Sequence, residues 1–68
     1  MIQNDTELHA TLDRISRFQA QILHLRQTET NPANYRASSS GFLAELDRMQ
    51  LAVREYFSTP PTDFAKAG

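Results

Sequence analysis

The sequence predicts an all-α protein, an antiparallel two-helix hairpin that dimerises into a four-helix bundle. Three observations lead to this prediction. Two stretches carry apolar residues at steps of three and four, which is the period of an α-helix. An Asn-Pro pair separates the two stretches. The chain has 68 residues and no cysteine, so one hairpin buries little surface and oligomerisation is the support that remains.

The first helix is predicted over about residues 5–28. No proline or glycine interrupts this stretch, and Asn4 is followed by Glu7 three residues later. In such a capping box the Asn4 side chain accepts from a free backbone amide while Glu7 reaches back. With Leu8 at position a of a heptad, Ile15 and Ile22 also fall at a, Phe18 and Leu25 at d, and Leu12 at e.

The second helix is predicted over about residues 32–57. Asn31 is a favourable N-cap, and Pro32 suits the first helical position because its missing amide would have no partner there. In heptads, Leu46 and Val53 fall at a, and the d positions are Tyr35, Phe42, Met49 and Tyr56. A start only at Ser40 remains the alternative, because three serines and Gly41 are poor helix formers and glycine costs about 1 kcal/mol relative to alanine.

Residues 58–68 are predicted to form a flexible C-terminal tail, because no apolar period continues and Pro60 and Pro61 cannot extend the helix. The segment "TPPTDF", with Phe64 as an anchor, would also suit a short docking peptide. A disordered end is the favoured interpretation.

The apolar seams of both helices are predicted to form the oligomer interface, because a single partner helix covers only one side of each apolar stripe. The predicted interface residues are Leu8, Leu12, Ile15, Phe18, Ile22, Leu25, Tyr35, Phe42, Leu46, Met49, Val53 and Tyr56. Leu23 and Leu51 lie off the seams, at b and f, and are either scattered surface residues or part of a docking surface.

Composition argues against several classes of function. The net charge of −1 provides no basic patch for direct nucleic-acid binding. No apolar run approaches the length of about 20 residues that spans a bilayer, and no leader pattern opens the chain, so a cytoplasmic protein is expected. His9 and His24 are too far apart on one helix to share a metal. No catalytic, cofactor or metal site is predicted, and the chain is not expected to be an enzyme.

Two segments suggest a family. "MIQNDTELHATLDRISRFQAQI" followed by "NPANYRASSSGFLAELDRMQLAVREY" resembles the N-terminal helical segment of bacterial XRE-type regulators, the class that includes HigA-like antitoxins. The matching positions are Ile2, Asn4, Phe18, Asn31, Pro32, Leu46, Glu55 and Tyr56. The resemblance covers about residues 1–57 and leaves out the helix-turn-helix domain of the longer members.

The resemblance implies a helical hairpin used in dimerisation or in contact with a cognate toxin. The leading hypothesis is therefore a small non-catalytic interaction module that self-associates and acts as an antitoxin-like component of a toxin–antitoxin system. Its expected partners are a second copy of itself and a cognate toxin or helix-turn-helix protein. The alternative is a regulatory accessory subunit that acts on nucleic acid through a DNA-binding partner.

Overall fold

A computed structural model of the chain describes residues 1–61. This part contains two α-helices and no β-strand: α1 is Asp5–Thr28 and α2 is Pro32–Ser58. The two helices pack against each other, and residues 29–31 join them. The all-α hairpin predicted from the sequence is confirmed.

The asparagine cap of α1 forms as expected, with one difference. The Oδ1 atom of Asn4 accepts from the backbone amide of Glu7 at 2.8 Å. The Glu7 carboxylate reaches back one residue further than a capping box requires, because its Oε1 accepts from the amide of Gln3 at 2.8 Å. Both acidic groups of the first turn, Asp5 and Glu7, suit the positive end of the helix dipole.

The helix α2 begins at Pro32, the earlier of the two starts that the sequence left open. The side-chain oxygen of Asn31 accepts from the amides of Ala33 at 2.9 Å and Asn34 at 3.4 Å. The carboxylate of Glu29 in turn accepts from the amide of Asn31 at 3.0 Å. The short connection is thus held by side-chain acceptors, which satisfy the amides that the start of a helix leaves without partners.

The serine run lies inside α2. The hydroxyl of Ser40 donates to the carbonyl of Ala37 at 3.1 Å, and that of Ser39 donates to the carbonyl of Arg36 at 3.5 Å. Such bonds to the preceding turn give the hydroxyl a partner within the helix. Gly41 has no positive φ, and a methyl group there would meet no atom within 4 Å apart from its chain neighbours and the adjacent backbone of its own helix.

The helix α2 ends at Ser58, one residue beyond the predicted end, and Thr59 caps it. The amide of Thr59 donates to the carbonyl of Tyr56 at 3.3 Å. Pro60 and Pro61 follow and have no backbone donor with which to continue the helix. Of the predicted tail, residues 62–68 with Phe64 lie outside the described residues.

The core lies between the helices at the middle of the hairpin. It consists of Ile15, Leu46 and Met49, which are buried, with three partly buried residues packed against them: Phe18, Ile22 and Val53. The ring of Phe18 meets that of Phe42 edge-on, with centroids 5.5 Å apart and planes at 87°. Ser39 is 2% exposed, so a small side chain occupies a seam position of α2.

Replacing the N-cap of α2 tests the account of its start. We expect Asn31→Ala to lower the free energy of unfolding by about 1 kcal/mol, because the amides of Ala33 and Asn34 lose their acceptor. Asn34→Ala is the matched control, since that side chain makes no capping bond to these amides. Urea denaturation at one protein concentration measures both variants. Equal stability of Asn31→Ala and the parent chain would mean that α2 begins later.

Candidate protein-interaction surface

The twelve residues predicted to form an oligomer interface differ in exposure within the single chain. Four are buried: Leu8, Ile15, Leu46 and Met49. Seven are half-buried: Phe18, Ile22, Leu25, Tyr35, Phe42, Val53 and Tyr56. Leu12 is exposed. The seam therefore serves first to hold α1 against α2, and its role in an oligomer stays a prediction.

The two ends of the hairpin are each fastened by a contact between the helices. At the end that carries the chain termini, the hydroxyl of Tyr56 donates to Oδ1 of Asp5. At the loop end, the guanidinium carbon of Arg26 lies 5.7 Å from the ring centre of Tyr35, within reach of a cation–π interaction. Together with the ring pair at the middle, these contacts establish that the helices are antiparallel.

The hydrogen bond to Asp5 changes the acidity of Tyr56. It raises the pKa of the tyrosine above its ordinary value, and burial of the ring and the negative charge of Asp5 act in the same direction. The neutral phenol is the form that the fold favours, because only that form can donate a proton to the carboxylate.

One side of the hairpin is grooved. The groove near the loop end is lined by residues of both helices: Ala20, Gln21, His24, Leu25, Ser38 and Phe42. Gln21 and Ser38 each precede an a position and so occupy g positions. A second concavity, nearer the termini, also has g positions of both helices in its wall, Glu7 on α1 and Ala52 on α2. The g positions of the two helices therefore share this side, which we call the groove side.

The opposite side carries the e positions and has exposed apolar residues. Leu12 on α1 is 40% exposed, and on α2 Leu43 is 47% and Phe57 is 67% exposed. We call this the leucine side, defined by these three residues. Leu51 is 55% exposed and lies at an f position on the outer face of α2, away from the seam. These three apolar side chains lie on one side of the hairpin, where Gln19 and Gln50 occupy the e positions beside the two leucines.

Two pairs of oppositely charged side chains form within single helices. Arg17 donates to Asp13 at 2.8 Å, and Arg48 contacts Glu45, with both arginines largely exposed. Exposed pairs of this kind contribute about 0.2–0.5 kcal/mol each. Among residues 1–61, no group of three or more His, Asp or Glu side chains is placed to hold a metal ion.

Neither described helix combines the length and the apolar character needed to cross a bilayer.

Comparison with known proteins adds no relative: no protein-family model matches the chain, and neither the curated proteins nor the solved structures include a significant match. The resemblance to HigA-like regulators therefore stays a prediction.

Ile2 is 5% exposed and lines the groove side, and its place just before the cap of α1 is where an apolar staple residue is expected. Sequence reasoning missed the leucine side, because Leu43 and Phe57 lie beside the predicted seam. Their shared e positions were a usable signal, because both helices then carry apolar residues on the same side.

Titration of Tyr56 tests its hydrogen bond to Asp5 at the terminal end of the hairpin. In Tyr35→Phe, Tyr56 is the only tyrosine left of two, so tyrosinate absorbance reports on it alone. We expect a midpoint above about 10, the ordinary tyrosine value, and a lower midpoint when Asp5→Ala is added. Stability gained from the neutral phenol is present below about pH 10 and is lost as the pH rises through the raised pKa. An unchanged midpoint in the double variant would show that Asp5 does not bind Tyr56.

Proposed function

We propose that the protein is a non-catalytic protein–protein interaction module whose first partner is a second copy of itself. The observation that carries this proposal is the leucine side, where three apolar side chains lie exposed on one side of the single hairpin. In the proposed assembly two hairpins form a four-helix bundle, and the half-buried seam residues become the bundle core.

The small core of the single chain supports the proposal. Among residues 1–61, five apolar side chains are buried: Ile2, Leu8, Ile15, Leu46 and Met49. Helices of this length owe most of their stability in water to packing of their apolar faces. A single core in a chain of this size rarely supplies much stability, and small proteins often supplement it by oligomerisation, a metal or disulfides. This sequence contains no cysteine. A second copy supplies the missing apolar contact without any further component.

The exposure of the seam residues also supports a second layer of helices. Phe18, Ile22 and Val53 pack on the core but keep part of their surface in solvent. In a four-helix bundle each helix contacts two neighbours, so a seam residue can be covered from both sides. Leu12 on α1 and Leu43 on α2 are placed to contact the helices of the second copy.

Two matched substitutions test the proposed self-association. We expect Leu43→Asp to raise the dissociation constant of the dimer by about tenfold or more, because it places a charge in an apolar contact. Leu51→Asp is the control, since Leu51 has similar exposure but lies on the outer face of α2. Sedimentation equilibrium of both variants and the parent chain measures the effect.

A parent chain that is folded and monomeric at micromolar concentration would contradict the proposal. Equal weakening by Leu43→Asp and Leu51→Asp would show that the contact does not use the leucine side.

The proposal extends to a heterologous partner of the kind that the resemblance implies, a toxin-like protein bound by the antitoxin-like hairpin. Its support is the resemblance over residues 1–57, and self-association leaves the outer faces and the groove side open to such a partner. Purification of the tagged chain from its native host tests this part. A stoichiometric small partner would support it, and recovery of the homodimer alone would contradict it.

A further inference from the structure

We infer that the leucine side binds a second copy of the chain in the antiparallel orientation, with the loop of one hairpin beside the termini of the other. This inference rests on the proposed self-association and adds its geometry. The two copies would be related by a two-fold axis perpendicular to the helices, at the level of Ile15. The alternative is a parallel dimer, in which both loops lie at the same end.

The contacts within the hairpin show which residues lie at the same level along its axis. Tyr56 contacts Asp5, so Phe57, the next residue, lies near the level of Asp5. Tyr35 contacts Arg26, so Arg36 lies near the level of Arg26.

The middle of the hairpin is placed in the same way. Phe42 contacts Phe18, so Leu43 lies near the level of Phe18. Leu12 and Phe18 are three residues before and after Ile15.

The two ends of the leucine side differ in charge. At the loop end, Arg26 and Arg36 occupy the e positions of α1 and α2, so two positive charges lie at one level. At the terminal end, the e positions are Asp5 on α1 and Phe57 on α2, which present a carboxylate and an exposed aromatic ring. The charged groups at the e positions are therefore positive at one end and negative at the other.

This charge pattern distinguishes the two orientations. A parallel dimer would bring Arg26 and Arg36 of both copies together at one end, and four like charges at close range repel each other. An antiparallel dimer brings Arg26 level with Asp5 of the second copy, at both ends of the interface. It also places Arg36 near Phe57 of the second copy, where a guanidinium can stack on the ring.

The charges and the leucines indicate the same centre. Ile15 is ten residues after Asp5 and eleven before Arg26, so an axis at its level pairs these two groups across the interface. Along the hairpin axis, Leu12 lies about as far before Ile15 as Leu43 lies beyond it. The same axis therefore brings the leucines of the two copies to one level, and an interface built by two-fold symmetry requires such self-complementarity.

Asp5 and Arg26 can each make a further contact besides the one that they make within the hairpin. The carboxylate of Asp5 accepts the Tyr56 proton on Oδ1, and a carboxylate has two oxygens that together offer about four acceptor sites. Arg26 lies over the face of Tyr35, and a stacked guanidinium can still donate through N–H groups in its plane.

A single charge reversal tests the orientation. In an antiparallel dimer, Arg26→Glu replaces two attractive contacts by repulsive ones, and we expect the dissociation constant to rise on the order of tenfold. In a parallel dimer the same variant would relieve repulsion and lower the dissociation constant. Arg17→Glu is the matched control, because it changes the net charge equally at an exposed position on the outer face of α1.

A distance measurement tests the orientation without relying on charge. The chain has no cysteine, so Thr30→Cys provides one spin-label site in the exposed loop. Because α2 has 27 residues and a helix rises 1.5 Å per residue, we expect the two labels of an antiparallel dimer to lie about 40 Å apart or more. In a parallel dimer the labels would lie within about 25 Å, given helix spacings of 8–10 Å.

The outcomes separate this inference from the proposal on which it rests. A dimer with a long label distance, weakened by Arg26→Glu but not by Arg17→Glu, is the expected result. A dimer with a short label distance, or one strengthened by Arg26→Glu, would overturn the antiparallel orientation and leave self-association intact. A monomeric parent chain would overturn both.

Discussion

The seam between α1 and α2 is the contact on which the rest of the structure depends. Each helix has an apolar stripe, and a hairpin can cover that stripe from one direction only. The buried residues Ile15, Leu46 and Met49 lie where the two stripes meet. Apolar residues beside the seam stay in contact with water, as Leu12, Leu43 and Phe57 do. The proposed self-association and its antiparallel orientation both follow from that incomplete coverage.

Local chemistry made much of the fold predictable. The helical period predicted the seam residues, and two asparagines predicted the starts of the helices, where the side-chain oxygens of Asn4 and Asn31 accept from backbone amides. The serine run only kept the later start at Ser40 open, because intrinsic propensity is a weak guide to where a helix begins. The early start is favoured by Pro32 and by the Asn31 cap. Serine hydroxyl bonds to the preceding turn and the packing of Tyr35 and Phe42 support it further.

The contacts at the two ends of the hairpin could not be predicted in the same way. Tyr56 and Asp5 are 51 residues apart in the chain, and only the offset between the helices brings them together. That offset depends on the length of the connection and on the shape of the seam. The burial of Ile2 has a similar cause, because it depends on where the chain folds back before α1. Sequence periodicity therefore predicted which residues line the seam, while the pairing across it required the structure.

The central claim is that the hairpin is completed by a second copy, so that folding and association are coupled. The most direct test is the thermal unfolding midpoint of the parent chain, followed by circular dichroism over a hundredfold range of protein concentration. Mass action requires the midpoint of a folded dimer to rise with concentration, and we expect that rise. A midpoint that stays constant over the whole range, with helical signal intact at the lowest concentration, would contradict the claim.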